Sequence, residues 1–198
     1  MPSANLQPGT YVVLGIFRGG TSAVAGTLRI LGVDMGYVHG RTDHEDPMLI
    51  DEFDLDVWRK YIQARNSNEQ TYGFKQPNTV RFFDEIEPYL KNPRYVLVYR
   101  NPEDIANSEH KHVGLERQES LDRTQWWYDR MQNIEQSDRD TVTLHYEHLA
   151  RPNFTGTDRQ RESAENLYAF VTGKQPTKRN KTVQKVIDFW NRKEYSTL

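Results

Sequence analysis

Short apolar runs alternate along the chain with longer segments of helical periodicity. The run TYVVLGIF, residues 10–17, is rich in β-branched side chains and predicts a buried strand. The next segment places Val24, Leu28 and Leu31 at helical spacing, and Gly32 stands where a helix C-cap belongs. The start of the chain therefore predicts a strand, a glycine-rich loop and a helix.

The same unit recurs further along the chain. A strand is predicted over residues 95–100. A helix is predicted to follow it, with Asn101 as its N-cap and Pro102 at its first position. TYGFKQ and TVTLHY predict two more strands, and the polar stretch RPNFTGTDRQR predicts an exposed loop. Further helices are predicted at IDEFDLDVWRKYIQ, RFFDEIEPYL, QWWYDRMQNI, ESAENLYAFV and TVQKVIDFW. The alternation predicts one α/β domain over residues 1–198, with a central parallel sheet flanked by helices on both faces.

Composition narrows the class of function. The 198 residues contain no cysteine, which excludes thiol catalysis and cysteine-ligated metal sites. A formal net charge of −2 without a long Lys/Arg run argues against nucleic acid or an anionic membrane as a partner. No apolar run approaches the ~18 residues of a membrane span, and the first residues lack a signal-peptide pattern, so we expect a cytoplasmic protein.

The loop after the first predicted strand carries the strongest chemical signal. A nucleotide-binding P-loop reads G-x-x-x-x-G-K-[ST], and Gly15, Gly20 and Ser22 match it while Thr21 replaces the lysine. Backbone amides at the start of a helix attract anions, and hydroxyl and guanidinium groups add donors. A purely structural glycine turn is the alternative. The predicted anion-binding residues are Arg18, Gly19, Gly20, Thr21 and Ser22.

Four segments resemble, in order, the sulfotransferases that use 3′-phosphoadenosine-5′-phosphosulfate (PAPS). FRGGTSAVAGTLRILGVDMG is similar to the family's phosphosulfate-binding loop and first helix. YVLVYRNPEDIANS resembles its 3′-phosphate signature, with Arg100 and, eight residues later, Ser108. YGFKQP is similar to its lysine-bearing strand and LHYEHLARP to its Y-E-D-L segment, whereas the family's C-terminal cofactor-binding segment has no clear counterpart. The resemblance implies the P-loop NTPase-like sulfotransferase fold.

The resemblance also implies roles for individual residues. The loop would bind the 5′-phosphosulfate, and Arg100 with Ser108 would bind the 3′-phosphate that distinguishes PAPS, and its product adenosine 3′,5′-bisphosphate (PAP), from ATP. Lys75 would stabilise charge near the sulfuryl group, without a metal ion. Tyr146 would contact the adenine; packing in the core at the end of a strand is its alternative.

The acceptor hydroxyl needs a base. Many family members have a histidine two residues after the lysine, but this chain has Pro77 there. Other branches take a glutamate from the segment after the first helix, and that segment offers Glu52, which we prefer, and His39. It also contains His44, Glu45 and Asp51, without the spacing typical of a metal site.

The sequence does not identify the acceptor molecule. It can be a small molecule, a carbohydrate, a lipid or a peptide tyrosine with a free hydroxyl, and no oligomeric state is predicted. The aromatic cluster Trp126, Trp127 and Tyr128 can line an acceptor site or belong to the core of a helix layer. A P-loop kinase for a small molecule and a catalytically silent module that binds adenosine bisphosphate are the alternative functions. The kinase is disfavoured because the loop lysine that reaches the ATP phosphates is absent.

The choice of base can be tested directly. We expect Glu52→Gln to lower turnover by ~10²-fold or more and to leave cofactor affinity nearly unchanged, because the amide cannot accept the proton. His39→Asn should cost far less. The pH dependence of turnover provides a second measurement. An unperturbed carboxylate base gives the acidic limb of the profile an apparent pKa below the ~6.5 expected of histidine. If both variants keep normal turnover, neither Glu52 nor His39 is the base.

Overall fold

A four-stranded parallel sheet forms the centre of the protein. The computed structural model describes residues 6–36, 49, 54–67, 71–150 and 157–192. The strands are β1 (Thr10–Leu14), β2 (Tyr72–Lys75), β3 (Pro93–Tyr99) and β4 (Asp140–His145). Their order is β2-β1-β3-β4, and every pair is parallel. The predicted parallel sheet is confirmed, and each of its strands lies where the apolar runs placed it.

Helices connect the strands. They are α1 (Thr21–Ile30), α2 (Leu55–Ser67), α3 (Phe83–Ile86), α4 (Pro102–Val113), α5 (Arg117–Glu135), α6 (Tyr146–Ala150), α7 (Thr157–Thr172) and α8 (Lys181–Arg192). Asn101 caps α4 as predicted: its side chain accepts a hydrogen bond from the Glu103 amide, with Pro102 in the first turn. Gly32 has φ +98° just after the α1 C-cap, Leu31, the left-handed conformation that favours glycine there.

Two predictions about helices were wrong in detail. RFFDEIEPYL is not one helix: α3 ends at Ile86, and Glu87–Tyr89 forms a 3₁₀ turn. Pro88 has no amide hydrogen and disfavours a helical residue before it, which explains the break. The end of the predicted loop RPNFTGTDRQR is helical, because α7 begins at Thr157. Gln160 looks like a loop residue, yet its buried amide donates to the Leu149 carbonyl at 2.9 Å.

The strands send alternate side chains to opposite faces of the sheet, as their period of two requires. In β1, Tyr11 and Val13 belong to one core cluster, with α1, α7 and α8. Val12 and Leu14 belong to the other, with α2, α3, α4 and α5. Helices therefore cover both faces, as predicted.

The helix that follows the glycine loop is held in place by the end of the described chain. Trp190 of α8 is fully buried, and its indole Nε1 donates to Thr27 Oγ1 of α1 at 2.8 Å. The same hydroxyl donates to the Ala23 carbonyl at 2.8 Å. This contact ties α8 to the helix whose first turn borders the loop.

Removing this hydroxyl should weaken the fold. We expect Thr27→Val to lower the free energy of unfolding by about 1–3 kcal/mol, because the buried indole N–H loses its acceptor. Urea denaturation followed by circular dichroism measures the change. Thr177→Val is the matched control, since Thr177 is exposed in a turn, and it should change stability by less than about 0.5 kcal/mol. Equal effects in the two variants would contradict this account of the Trp190 contact.

Candidate functional site

The carboxyl ends of all four strands converge on one edge of the sheet. The glycine loop follows β1, Lys75 ends β2, Arg100 follows β3, and Tyr146 follows β4. Their side chains and the loop border a cleft of about 390 Å³. Parallel α/β sheets bind ligands at this edge. The residues that line the cleft are Phe17, Arg18, Gly20, Thr21, Ser22, Ala23, Lys75, Pro77, Arg100 and Tyr146.

The loop has a tight backbone that requires glycine at its end. The Gly19 amide donates to the Ile16 carbonyl at 3.0 Å, and Arg18 has φ +62°. Gly20, the N-cap of α1, has φ +91°. A Cβ at Gly20 would lie 2.1 Å from Cδ2 of Tyr146, so the Tyr146 ring packs directly on the loop backbone. Glycine is needed at this position both for its left-handed conformation and for the ring contact.

Tyr128 holds the backbone of Arg100. Its hydroxyl accepts a hydrogen bond from the Arg100 amide at 2.8 Å and donates to the Arg100 carbonyl at 2.6 Å. Burial raises the pKa of Tyr128 to about 12, so the phenol stays neutral and keeps the proton that it donates. The clamp fixes the point at which the chain leaves β3 and enters α4.

The Arg100 guanidinium closes the cleft from the β3 side. Its Nη1 donates to the Arg18 carbonyl at 2.6 Å, and its Cζ lies 4.8 Å from the centre of the Tyr146 ring. Its Nε is buried and has no hydrogen-bond partner among the described residues. A buried donor of this kind is uncommon in native proteins. The site therefore contains a cationic side chain that lines the cleft and whose Nε is unsatisfied within the described residues.

Arg18 turns its side chain away from its own loop. The Arg18 Nε donates to Ser108 Oγ on α4 at 3.0 Å. Ser108 stands about two helical turns into α4, where the N-cap at Asn101 and the proline after it set the start of the helix. Arg18, Arg100 and Ser108 thus form one group. The sequence placed Arg18 in the loop predicted to bind the 5′-phosphosulfate, and that role stays a prediction; in the structure its guanidinium contacts Ser108.

Lys75 lies in the wall of the cleft close to the start of α1. It is 3% exposed, and its Nζ lies 3.5 Å from Ser22 Oγ, to which it donates. In the sheet register Lys75 pairs with Val13, next to the end of β1. Gln76 accepts a hydrogen bond from the Asn78 amide and starts the 3₁₀ turn Pro77–Val80 that continues the wall.

The structure brings together most of the residues that the sequence singled out. Gly19 is buried behind the loop, and Ser108 joins the group through Arg18 rather than by lining the cleft. Glu52 and His39, the two predicted bases, lie outside the described residues, as do His44, Glu45 and Asp51. Their roles stay predictions.

Sequence reasoning missed two contacts that order the site. It assigned Tyr128 to an aromatic cluster and overlooked its clamp on Arg100. It also overlooked Glu147, whose Oε1 accepts a hydrogen bond from the Asn101 amide at 2.7 Å. The spacing of Thr124, Tyr128 and Met131 predicts a shared inward face of α5. It does not predict which strand end that face meets.

The described residues contain neither a metal-binding cluster nor a membrane-spanning helix. These residues contain no group of three or more His, Cys, Asp or Glu side chains that could hold a metal ion. No helix within them combines the length and the apolar character that crossing a membrane requires.

Comparison with known proteins shows the fold. No protein-family model matches the chain, and no curated protein sequence does. A solved structure of retinol dehydratase in a complex with retinol and PAP matches it with a TM-score of 0.51 at 14% sequence identity. The match covers 95% of this chain and 66% of the retinol dehydratase chain, so this protein spans just under two thirds of that length. The predicted sulfotransferase fold is confirmed.

The clamp on Arg100 should contribute to stability. We expect Tyr128→Phe to lower the free energy of unfolding by about 1–3 kcal/mol, because the Arg100 amide and carbonyl both lose their partner. Tyr168→Phe is the control: the Tyr168 hydroxyl makes no hydrogen bond with any described residue, so its loss should have little effect. Thermal and urea unfolding measure both. A destabilisation no larger than that of the control would contradict the clamp.

Proposed function

We propose that the protein is a sulfotransferase that uses PAPS and sulfates a hydroxyl group of an acceptor, releasing PAP. The observation that carries this proposal is that two groups of hydrogen-bond donors lie at one cleft. The glycine loop and the start of α1 form one group, and Arg18, Arg100 and Ser108 form the other. A nucleotide with charged groups on both its 5′ and 3′ positions matches two such groups. The sulfotransferase fold and the PAP named with the retinol dehydratase structure support the same choice.

The described residues fit such a nucleotide. At the 5′ end the first turn of α1 borders the cleft, and Thr21 and Ser22 add hydroxyl donors. At the 3′ end the Arg100 guanidinium lines the cleft and offers a charged donor group. No carboxylate occurs among the described residues that line the cleft. Anionic groups therefore meet positive potential along its length.

We assign Arg18 to the 3′-phosphate together with Arg100 and Ser108. The Arg18 side chain already donates to the Ser108 hydroxyl, and the Arg18 carbonyl accepts from Arg100. The 5′ end then relies on the loop amides, the two hydroxyls and Lys75. We keep Tyr146 as the proposed adenine contact, since its ring lines the cleft between the loop and Arg100.

When bound, the cofactor supplies the sulfuryl group: the acceptor oxygen gains a bond to sulfur while the bond from sulfur to the 5′-phosphate oxygen breaks. Lys75 and the first turn of α1 stabilise negative charge at that end of the cleft. Burial of Lys75 excludes water from its ammonium group and strengthens this effect. The proton of the acceptor hydroxyl goes to the base, for which Glu52 and His39 stay the proposed residues.

Calorimetry with three nucleotides tests the cofactor. We expect PAP to bind more tightly than 5′-AMP and than ATP with Mg²⁺. Arg100→Ala and Arg18→Ala should each weaken PAP binding by about 2 kcal/mol, roughly thirtyfold, and leave 5′-AMP nearly unchanged, because each removes a charged donor from the 3′ end. Ser22→Ala should weaken PAP and 5′-AMP alike, since it removes a donor from the 5′ end.

Three results would overturn parts of this proposal. Equal losses for PAP and 5′-AMP in the two arginine variants would remove the 3′-phosphate assignment. Tighter binding of ATP with Mg²⁺ than of PAP would favour a kinase. PAP binding without release of PAP from PAPS, measured over a panel of sugar, phenol and lipid alcohols in excess chelator, would favour a silent binding module.

A further inference from the structure

A second cleft adjoins the proposed cofactor cleft. Its volume is about 510 Å³, and it is lined by Phe17, Asn78, Arg81, Arg123, Trp126 and Trp127. Phe17 lines both clefts. Pro77 lines the first cleft and its neighbour Asn78 the second, two and three residues after Lys75. The two clefts therefore meet at the glycine loop and at the turn that follows β2.

Exposed aromatic rings characterise this second cleft. Phe17 is 36% exposed and Trp126 is 44% exposed. Trp126 packs edge-on against Trp127, with ring centres 5.0 Å apart and an angle of 68°. Large apolar side chains at a surface cleft indicate a binding surface. Flat indole and phenyl rings stack on other rings, which favours a ring-shaped ligand.

Arg123 is fixed in the wall of this cleft. Its guanidinium pairs with Glu109 of α4, which is 1% exposed and also accepts a hydrogen bond from Ser120 Oγ at 2.5 Å. Nε of Arg123 is buried without a hydrogen-bond partner in the described part of the chain, and so is Nε1 of Trp127.

Arg81 adds positive charge that no described carboxylate neutralises. Its side chain is exposed, and its Cζ lies 5.6 Å from the centre of the neighbouring Phe82 ring. Arg130, by contrast, pairs with Asp84 at 3.1 Å while it lies over the Trp126 ring. In this cleft Arg123 is therefore paired with the buried Glu109, whereas Arg81 forms no ion pair with a described residue. A guanidinium group binds a carboxylate or sulfate with two donors at once.

We propose that this second cleft binds the acceptor and selects a hydroxylated ring compound that also carries a carboxylate or a sulfate. The inference rests on the proposed sulfotransferase function, because the acceptor must reach the cofactor cleft. The ring stacks on Trp126 and Phe17, and the anionic group pairs with Arg81. An acidic sugar and a phenolic acid share this chemistry, so the test compares both.

Matched probe pairs measure the preference for an anion. Methyl glucuronide is compared with methyl glucoside, and 4-hydroxyphenylacetate with 4-hydroxyphenylacetamide, by amide NMR titration of the intact chain with and without saturating PAP. In at least one pair the acidic member should bind about tenfold or more tightly, as expected for a charge-assisted contact. Arg81→Gln should abolish that preference, and Trp126→Ala should weaken both members. Arg159→Gln, on α7 across the sheet, is the control and should keep the preference.

The outcomes separate this inference from the cofactor proposal. Normal PAP binding with equal affinity for acidic and neutral probes, or with no probe binding, overturns the acceptor assignment alone. Retention of the preference in Arg81→Gln overturns it as well. Preferential binding of an acidic probe by a protein that does not bind PAP overturns the proposed function and the acceptor role together. Circular dichroism of each variant verifies that it is folded.

Discussion

Parallel pairing of the four strands sets the positions of the loops and side chains at the cleft. β1 is hydrogen-bonded to β2 on one side and to β3 on the other, and β4 extends the sheet from β3. Because all four strands run in one direction, every segment that follows a strand leaves the sheet at the same edge. The glycine loop, Lys75, Arg100 and Tyr146 come from distant parts of the sequence and meet there for this reason alone.

Gathering cations in one cleft has an electrostatic cost, and the structure shows how it is offset. Arg100 donates to the Arg18 carbonyl, and Arg18 donates to the Ser108 hydroxyl, so each guanidinium group meets an oxygen rather than the other positive charge. Tyr128, kept neutral by its raised pKa, fixes the Arg100 backbone. These donors are therefore already held in position in the cleft, which is the arrangement that the proposed stabilisation of anionic groups requires.

The two clefts divide the chemistry of the proposed reaction between them. The first is built mainly from strand ends and the start of α1, and its donors suit phosphate and sulfate groups. The second is built from the turn after β2 and from α5, and it combines aromatic rings with Arg81 and Arg123. Phe17 and the turn after Lys75 connect them. An acceptor that stacks on Trp126 would thus lie next to the cofactor cleft.

Local sequence patterns were sufficient to predict the strands, most of the helices and the position of the glycine loop. Apolar runs, the Asn101 cap, Pro102 and the glycines act over a few residues, so the strands, α4 and the phosphate-type loop could be predicted from local patterns. Local patterns failed to predict burial that depends on a distant contact. Gln160 is a polar residue, yet it is buried in helix α7 because its side-chain amide donates to the Leu149 carbonyl.

The contacts between distant side chains become visible only in the folded protein. The tertiary structure directed Arg18 to Ser108, set the Tyr128 hydroxyl on the Arg100 backbone and placed Trp126 in a cleft with Arg81. Such pairings depend on strand order and on how α4 and α5 pack against the sheet. No short stretch of sequence encodes these contacts. Burial of apolar surface drives the helices onto the sheet, but it does not specify which polar side chains of different elements meet.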